Sequence, residues 1–118
     1  MIMINTFEHL QQCVLTWANE RGLLAYGIPC AQFLKTAEEL GELAAAMARH
    51  DPEKIADALG DVLVTLIILA HLLNHDLVTC LAGAYDEIKD RRGHLRDGVF
   101  IKAEETRDAA GLPLGVAA

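Results

Sequence analysis

Glu38, Glu39 and Glu42 in KTAEELGEL, followed by Asp57 and Asp61 in IADALGDVL, put five carboxylates at helical spacing inside otherwise apolar patterns. Steps of three and four residues gather side chains on one side of a helix, so two packed helices bring two acidic stripes together. Several like charges share a site only where a cation joins them. The donors are all oxygens, which suits Mg²⁺, with Mn²⁺ as a possible substitute.

The second acidic run decides the matter. Lys54, Asp57, Asp61 and Thr65 form a narrow polar stripe on a pattern with little other polar surface, and an aspartate there is costly unless paired or metal-bound. The first run is less telling alone. Gln32, Lys35, Glu39 and Glu42 follow steps of three, four and three, with Glu38 one position off. That is also the pattern of an ordinary solvated face, with Lys35 and Glu39 as an i,i+4 pair.

Complementary charge lies further along. Tyr85, Lys89 and Arg92 share a face in AYDEIKDRRG, Arg91 and Arg96 are near, and Lys102 follows. Cations beside metal-bound carboxylates can hold an anionic substrate such as a polyphosphate; the dipole of a helix end accounts equally well for Lys89 and Arg92. The histidines add nothing comparable: His71 and His75 fit packing or capping, and His9, His50 and His94 are isolated.

Four helices are needed to position these groups. Asn5 can cap a first helix over about 5–22 in which Phe7, Leu10, Val14 and Trp17 recur at helical steps, and GLLAYGIP reads as a loop. A second helix runs to Arg49 with Phe33, Ala37, Leu40, Ala44 and Met47 as its buried stripe. Asp51 and Pro52 open a third helix reaching about His75, and Asp76 caps a fourth through Arg92, stopped by Gly93. GVFIK is a short extended stretch and 103–118 an irregular tail. The expected fold is one all-α domain, an antiparallel four-helix bundle over 1–102. From Val62 to Leu73 the third helix is apolar on almost every face, which implies burial all round. Part of that surface is expected to pack on a second copy, making a homodimer.

Composition sets the limits. At 118 residues with 53% hydrophobic content and only 5% aromatics, the chain suits packed aliphatic helices. A net charge of -7 argues against general affinity for nucleic-acid backbones or anionic membranes. Cys13, Cys30 and Cys80 lack ligand spacing and read as reduced, mostly buried thiols of a cytoplasmic protein. The start shows no signal-peptide pattern, and the apolar stretch after Asp61 is broken by Thr65 and His71, so neither secretion nor membrane insertion is expected.

These residues resemble the MazG-like members of the all-α nucleoside triphosphate pyrophosphohydrolase superfamily, whose pattern is EExxE on one helix and ExxD on the next. The first half stands as Glu38-Glu39-Leu40-Gly41-Glu42, preceded by Lys35. In the second half Asp61 matches the final aspartate, while Ala58 occupies the place of the glutamate. Asp57, on the other side of the same helix face, is positioned to replace the missing oxygen donor. WANERG, YDEIKDRRG and GVFIK extend the likeness over most of residues 14–102. The resemblance implies Mg²⁺-dependent cleavage of a nucleoside triphosphate to monophosphate and pyrophosphate. It implies metal on Glu39, Glu42 and Asp61, completed by Asp57 or Glu38, with Glu38 as candidate general base. Lys35, Tyr85, Lys89, Arg92 and Lys102 are the implied substrate contacts. Trp17 and Gln32 are the implied base contacts, although core packing is the plainer account of Trp17. A dimer or dimer of dimers is the expected assembly. The alternative is a helical nucleotide- or protein-binding module that has lost turnover through Ala58.

Overall fold

The computed structural model describes residues 5–103. The expected tail from 104 onward therefore lies outside the described residues. In chain order the elements are α1 (Phe7–Glu20), α2 (Leu23–Tyr26), α3 (Pro29–Ala48), α4 (Pro52–Leu72), α5 (Leu77–Ile88), β1 (Gly93–Arg96) and β2 (Val99–Lys102). The expected helices correspond to α1, α3, α4 and α5, and the chain parts into two compact units within α5, after Leu81.

In the first unit α3 and α4 form the principal pair, α1 packs on α4, and α2 touches both α1 and α4. The short link makes α3 and α4 antiparallel neighbours. His50 takes a left-handed φ of 51°, its N–H donates to Met47 O, and Asp51 N–H donates to Ala46 O. These bonds satisfy carbonyls that the end of a helix leaves bare. Asp51 Oδ1 then accepts from Lys54 N at 3.2 Å, and Pro52 occupies the first turn, where a missing N–H costs nothing. Asn74 repeats the left-handed turn at the end of α4. Asp76 caps α5 by accepting from Thr79 N at 2.9 Å, and Gln11 of α1 ties in by donating to Asp76 Oδ1 at 2.6 Å.

Several boundaries differ from expectation for local reasons. Thr6, not Asn5, caps α1, its hydroxyl accepting from His9 N at 3.1 Å. The supposed loop contains the four-residue α2, entered through Gly22 at φ 77°. α5 ends at Ile88, short of Arg92. GVFIK is half of an antiparallel hairpin in which Arg96 pairs with Val99 and Gly93 with Lys102. Asp97 and Gly98 form its two-residue turn, both with positive φ, the conformation that an Asp-Gly pair favours between twisted strands.

The main correction concerns which face of α3 is inside. Phe33 is 60% exposed and Met47 57%, with Leu40, Ala37 and Ala44 exposed as well, so the expected buried stripe lies outward in the single chain. The opposite face, with Thr36 and Ala46 buried, meets α4. α4 likewise buries Ala58, Thr65, Ile67 and Ile68 but leaves Leu59 and Leu63 exposed, as is Leu73 at its C-cap. By length and composition α4 passes for a membrane span, yet in this fold it is the helix on which α1, α2 and α3 converge. All three cysteines are exposed, against expectation. Cys30 belongs to an apolar groove with Phe33, Leu34, Leu69 and Leu73, which explains its exposure by the same uncovered surface.

Candidate active site

The inward turn of α3 carries Glu39 toward α4, while Glu38 and Glu42 stay exposed beside it. The Glu39 side chain is only 12% exposed; its Oε1 lies 3.9 Å from Lys35 Nζ, and its Oε2 is buried with no hydrogen-bond partner. Burial, followed by the charge and hydrogen bonding of Glu42 and the charge of Asp61, pushes its pKa above the usual carboxylate value; Lys35 opposes the shift. Lys35 is itself held more firmly protonated, by a hydrogen bond and attraction to Glu38 and by the charges of Glu39 and Glu42. Glu38 takes the exposed side of the cluster, paired with Lys35 at 3.3 Å.

Two clefts flank this cluster and share Asp61. The first, of about 370 Å³, is lined by Glu42, Arg49, Lys54, Asp57 and Asp61 over a floor of Ala45, Ala46 and Ala58. Asp57 stands with Glu42 and Asp61 around one space above the buried Ala58; all three acidic residues are exposed, so the buried setting expected for the two aspartates is not found. The second, of about 520 Å³, has Glu39, Lys35 and Asp61 at its polar side and Leu23, Ile28, Val64 and Ile68 among its apolar walls.

Trp17 and Gln32 line that second cleft. Trp17 is 45% exposed, which overturns the expectation that it serves mainly as core. Arg21 lies 4.5 Å from the centre of its ring and donates to the Trp17 carbonyl at 3.0 Å, holding the indole on α1. Gln32 Nε2 donates to the Thr65 carbonyl at 3.2 Å. A carbonyl only accepts, so the amide nitrogen must face Thr65 and its oxygen is left as an acceptor. Thr65 is fixed in turn by donating to Val62 O at 2.7 Å.

The remaining expected contacts belong to the second unit. Tyr85 is exposed on α5, Lys89 pairs with Asp86 at 2.9 Å, Arg92 O accepts from Ala103 N at 2.9 Å, and Lys102 ends β2. Arg49 was not singled out in the sequence, and Lys54 only as part of a stripe. Their signal was position: they flank the Asp51-Pro52 turn, each two helical turns from an acidic residue.

Among the described residues no three His, Cys, Asp or Glu side chains are already drawn together as an ion-holding set. Carboxylates without a counter-ion repel one another. Their oxygen-only chemistry and the orphaned Glu39 Oε2 fit a hard divalent cation.

The description "MazG nucleotide pyrophosphohydrolase domain" matches residues 31–95, more than half of the 118-residue chain. The chain belongs to the MazG family. The matched segment contains all five acidic residues and Gln32 and Lys35, while Trp17 precedes it and Lys102 follows it. An "uncharacterized 18.2 kDa protein in rep-hol intergenic region" of Haemophilus phage HP1 (strain HP1c1) is 38% identical over 63 residues. That alignment covers 53% of this chain and 39% of the phage protein. The Bacillus-conserved MazG protein, described as a nucleotide pyrophosphohydrolase, superposes with a TM-score of 0.64 at 28% identity, over 81% of this chain and 97% of that one. The all-α MazG-like fold is thus shown, with the short hairpin as an addition to the expected bundle.

Proposed function

We propose that this chain is a divalent-metal-dependent nucleoside triphosphate pyrophosphohydrolase, splitting the bond between the α- and β-phosphates with water to give a monophosphate and pyrophosphate. Glu39 carries the reading. An acidic side chain almost enclosed between helices, crowded by Glu42 and Asp61 and with one oxygen unpartnered, is a costly arrangement that a bound cation relieves. Family membership and the activity of the Bacillus MazG protein support the same conclusion.

Glu39, Glu42 and Asp61 would hold the ion, with Asp57 as a further oxygen donor. Bound Mg²⁺ supplies neutralisation of the triphosphate and a water of lowered pKa. Glu38, tethered by Lys35 outside the cluster, takes the proton that water loses as its oxygen bonds to phosphorus and the bridging oxygen departs with pyrophosphate. Lys35 remains cationic and faces the α-phosphate from the second cleft. Trp17 stacks on the base, and the free oxygen of Gln32 accepts one of its N–H groups. Tyr85, Lys89, Arg92 and Lys102 are proposed phosphate contacts on the strength of charge and resemblance.

The exposed Phe33, Leu40 and Met47, with the groove along Leu69 and Leu73, support self-association as a dimer or dimer of dimers. Ala58 favours a second reading, a nucleotide-binding module without turnover, because the family's glutamate is missing from the cleft floor. Incubating a panel of nucleoside and deoxynucleoside triphosphates with Mg²⁺, and resolving products by chromatography, separates the two. Monophosphate with equal pyrophosphate is expected; binding without product would favour the module.

A further inference from the structure

We infer that Arg21 is a positioning residue for the nucleotide base: its guanidinium backs the Trp17 indole on the side away from the second cleft and holds it as a stacking platform. This rests on the base contact proposed for Trp17 above. Trp17 lines that cleft, and among the described residues Arg21 does not, although its Cζ is 4.5 Å from the centre of the ring. The indole therefore stands between the guanidinium and the cleft. With one face of the ring taken by the cation, a planar base can stack only on the other.

Helix-end chemistry accounts for part of this arrangement. At the close of α1 the Arg21 N–H donates to Ala18 O at 3.2 Å, in a tightened last turn. The Trp17 carbonyl is left to the guanidinium, which donates to it at 3.0 Å. A cation is also favoured there by the helix dipole. Neither effect needs the guanidinium to lie over a ring. The ring gains more from it: an indole 45% exposed on a helix surface turns about two side-chain torsions unless something packs against it. Gly22 then reverses the chain at φ 77° and brings Leu23 onto the cleft that Trp17 lines. A platform fixed before the ligand arrives loses less freedom on binding.

The test is a double-mutant cycle on Arg21 and Trp17, with every variant of confirmed helicity. Calorimetric titration with the four deoxynucleoside monophosphates and Mg²⁺ measures base binding without turnover. Arg21→Ala should weaken it by roughly three- to thirtyfold, the range of a cation–π contact. Arg21→Lys keeps the helix-end charge but not the planar fork, and should recover only part of the loss. In a Trp17→Leu background Arg21→Ala should bring no further loss. Trp17 is the one tryptophan of the chain, so its fluorescence reports the brace directly: acrylamide should quench free Arg21→Ala more strongly than free wild type. In triphosphate hydrolysis the same loss should appear in KM, with kcat within about twofold of wild type. Full recovery by Arg21→Lys, additive losses in the cycle, or equal quenching overturns the assignment. A wild type that binds the monophosphates but hydrolyses no triphosphate removes the hydrolase reading, and the binding cycle still decides the brace. A wild type that binds none of the four overturns the brace together with the base contact, whatever its turnover.

Discussion

The two faces of α3 are built from opposite materials and placed opposite to expectation. Gln32, Thr36 and Glu39 turn toward the partner helix, while Phe33, Leu40 and Met47 face outward. A helix that folded only to hide its apolar stripe would do the reverse. The buried hydrophobic residues of the described chain are correspondingly few and mostly small: Ala18, Ala46, Ala58, Ile67 and Ile68. The inner face thus holds a polar site, while the outer face is apolar surface that the chain's own elements leave uncovered and that a second copy is proposed to cover.

Breaking the inner face should have the largest effect. Glu39→Gln and Asp61→Ala should each reduce Mg²⁺-dependent hydrolysis by more than about 100-fold, beyond the loss usual for residues that merely support metal ligands. Stability should move the other way in the absence of metal. The pKa of Glu39 is raised on folding, so its favourable contribution is full below the unfolded value and is lost as pH rises through the folded one. At neutral pH its ionised form opposes folding. Glu39→Gln should therefore melt higher than wild type in chelator at about pH 7, with the difference vanishing toward about pH 4. Calorimetry across that interval checks the sign.

The outer face should respond in association instead of chemistry. The proposed self-association should be visible in micromolar sedimentation experiments, and Phe33→Asp with Leu40→Asp is expected to abolish it. A wild type that is already monomeric with native helicity removes this half of the comparison.

A smaller effect sharpens the inner face at its one departure from the family pattern. Asp57→Ala should weaken Mg²⁺ binding and turnover, and Ala58→Glu in that background should partly restore both by placing a carboxylate on the same cleft floor. If Asp57 is only an exposed helix residue, its removal should leave activity near wild type and stability within about 0.5 kcal/mol. Metal titration of the two variants separates the cases.

The smallest effect belongs to Asp76, which is remote from both faces. Hydrogen bonds from the backbone and side chain of Thr79, then from Gln11, hold its pKa below the usual aspartate value. Its contribution is present above the unfolded pKa and is lost as pH falls through the lower folded one. Asp76→Asn should lower the melting temperature slightly near neutrality, and the gap should close on acidification through that range.

Much of this was legible because short-range chemistry wrote it. Asp51-Pro52, Asp76 and the helical steps of the apolar residues located three helices to within a few residues, and like-charge spacing marked Glu39, Glu42 and Asp61. The hairpin was half missed although Asp97-Gly98 is its standard two-residue turn. The facing of α3 was not legible: period alone says that a helix has an apolar side, not whether its own chain or another copy covers it.

The nearly enclosed Glu39, with the exposed Glu42, Asp57 and Asp61 around it, is proposed to make a metal site for α–β cleavage. Phosphorus NMR of a cleavable nucleoside triphosphate, incubated with wild type and Asp61→Ala, with Mg²⁺ or with chelator, tests it in one experiment. Monophosphate and pyrophosphate resonances should grow together, only for wild type and only with Mg²⁺. Diphosphate and orthophosphate as products, or equal turnover by Asp61→Ala, would contradict it.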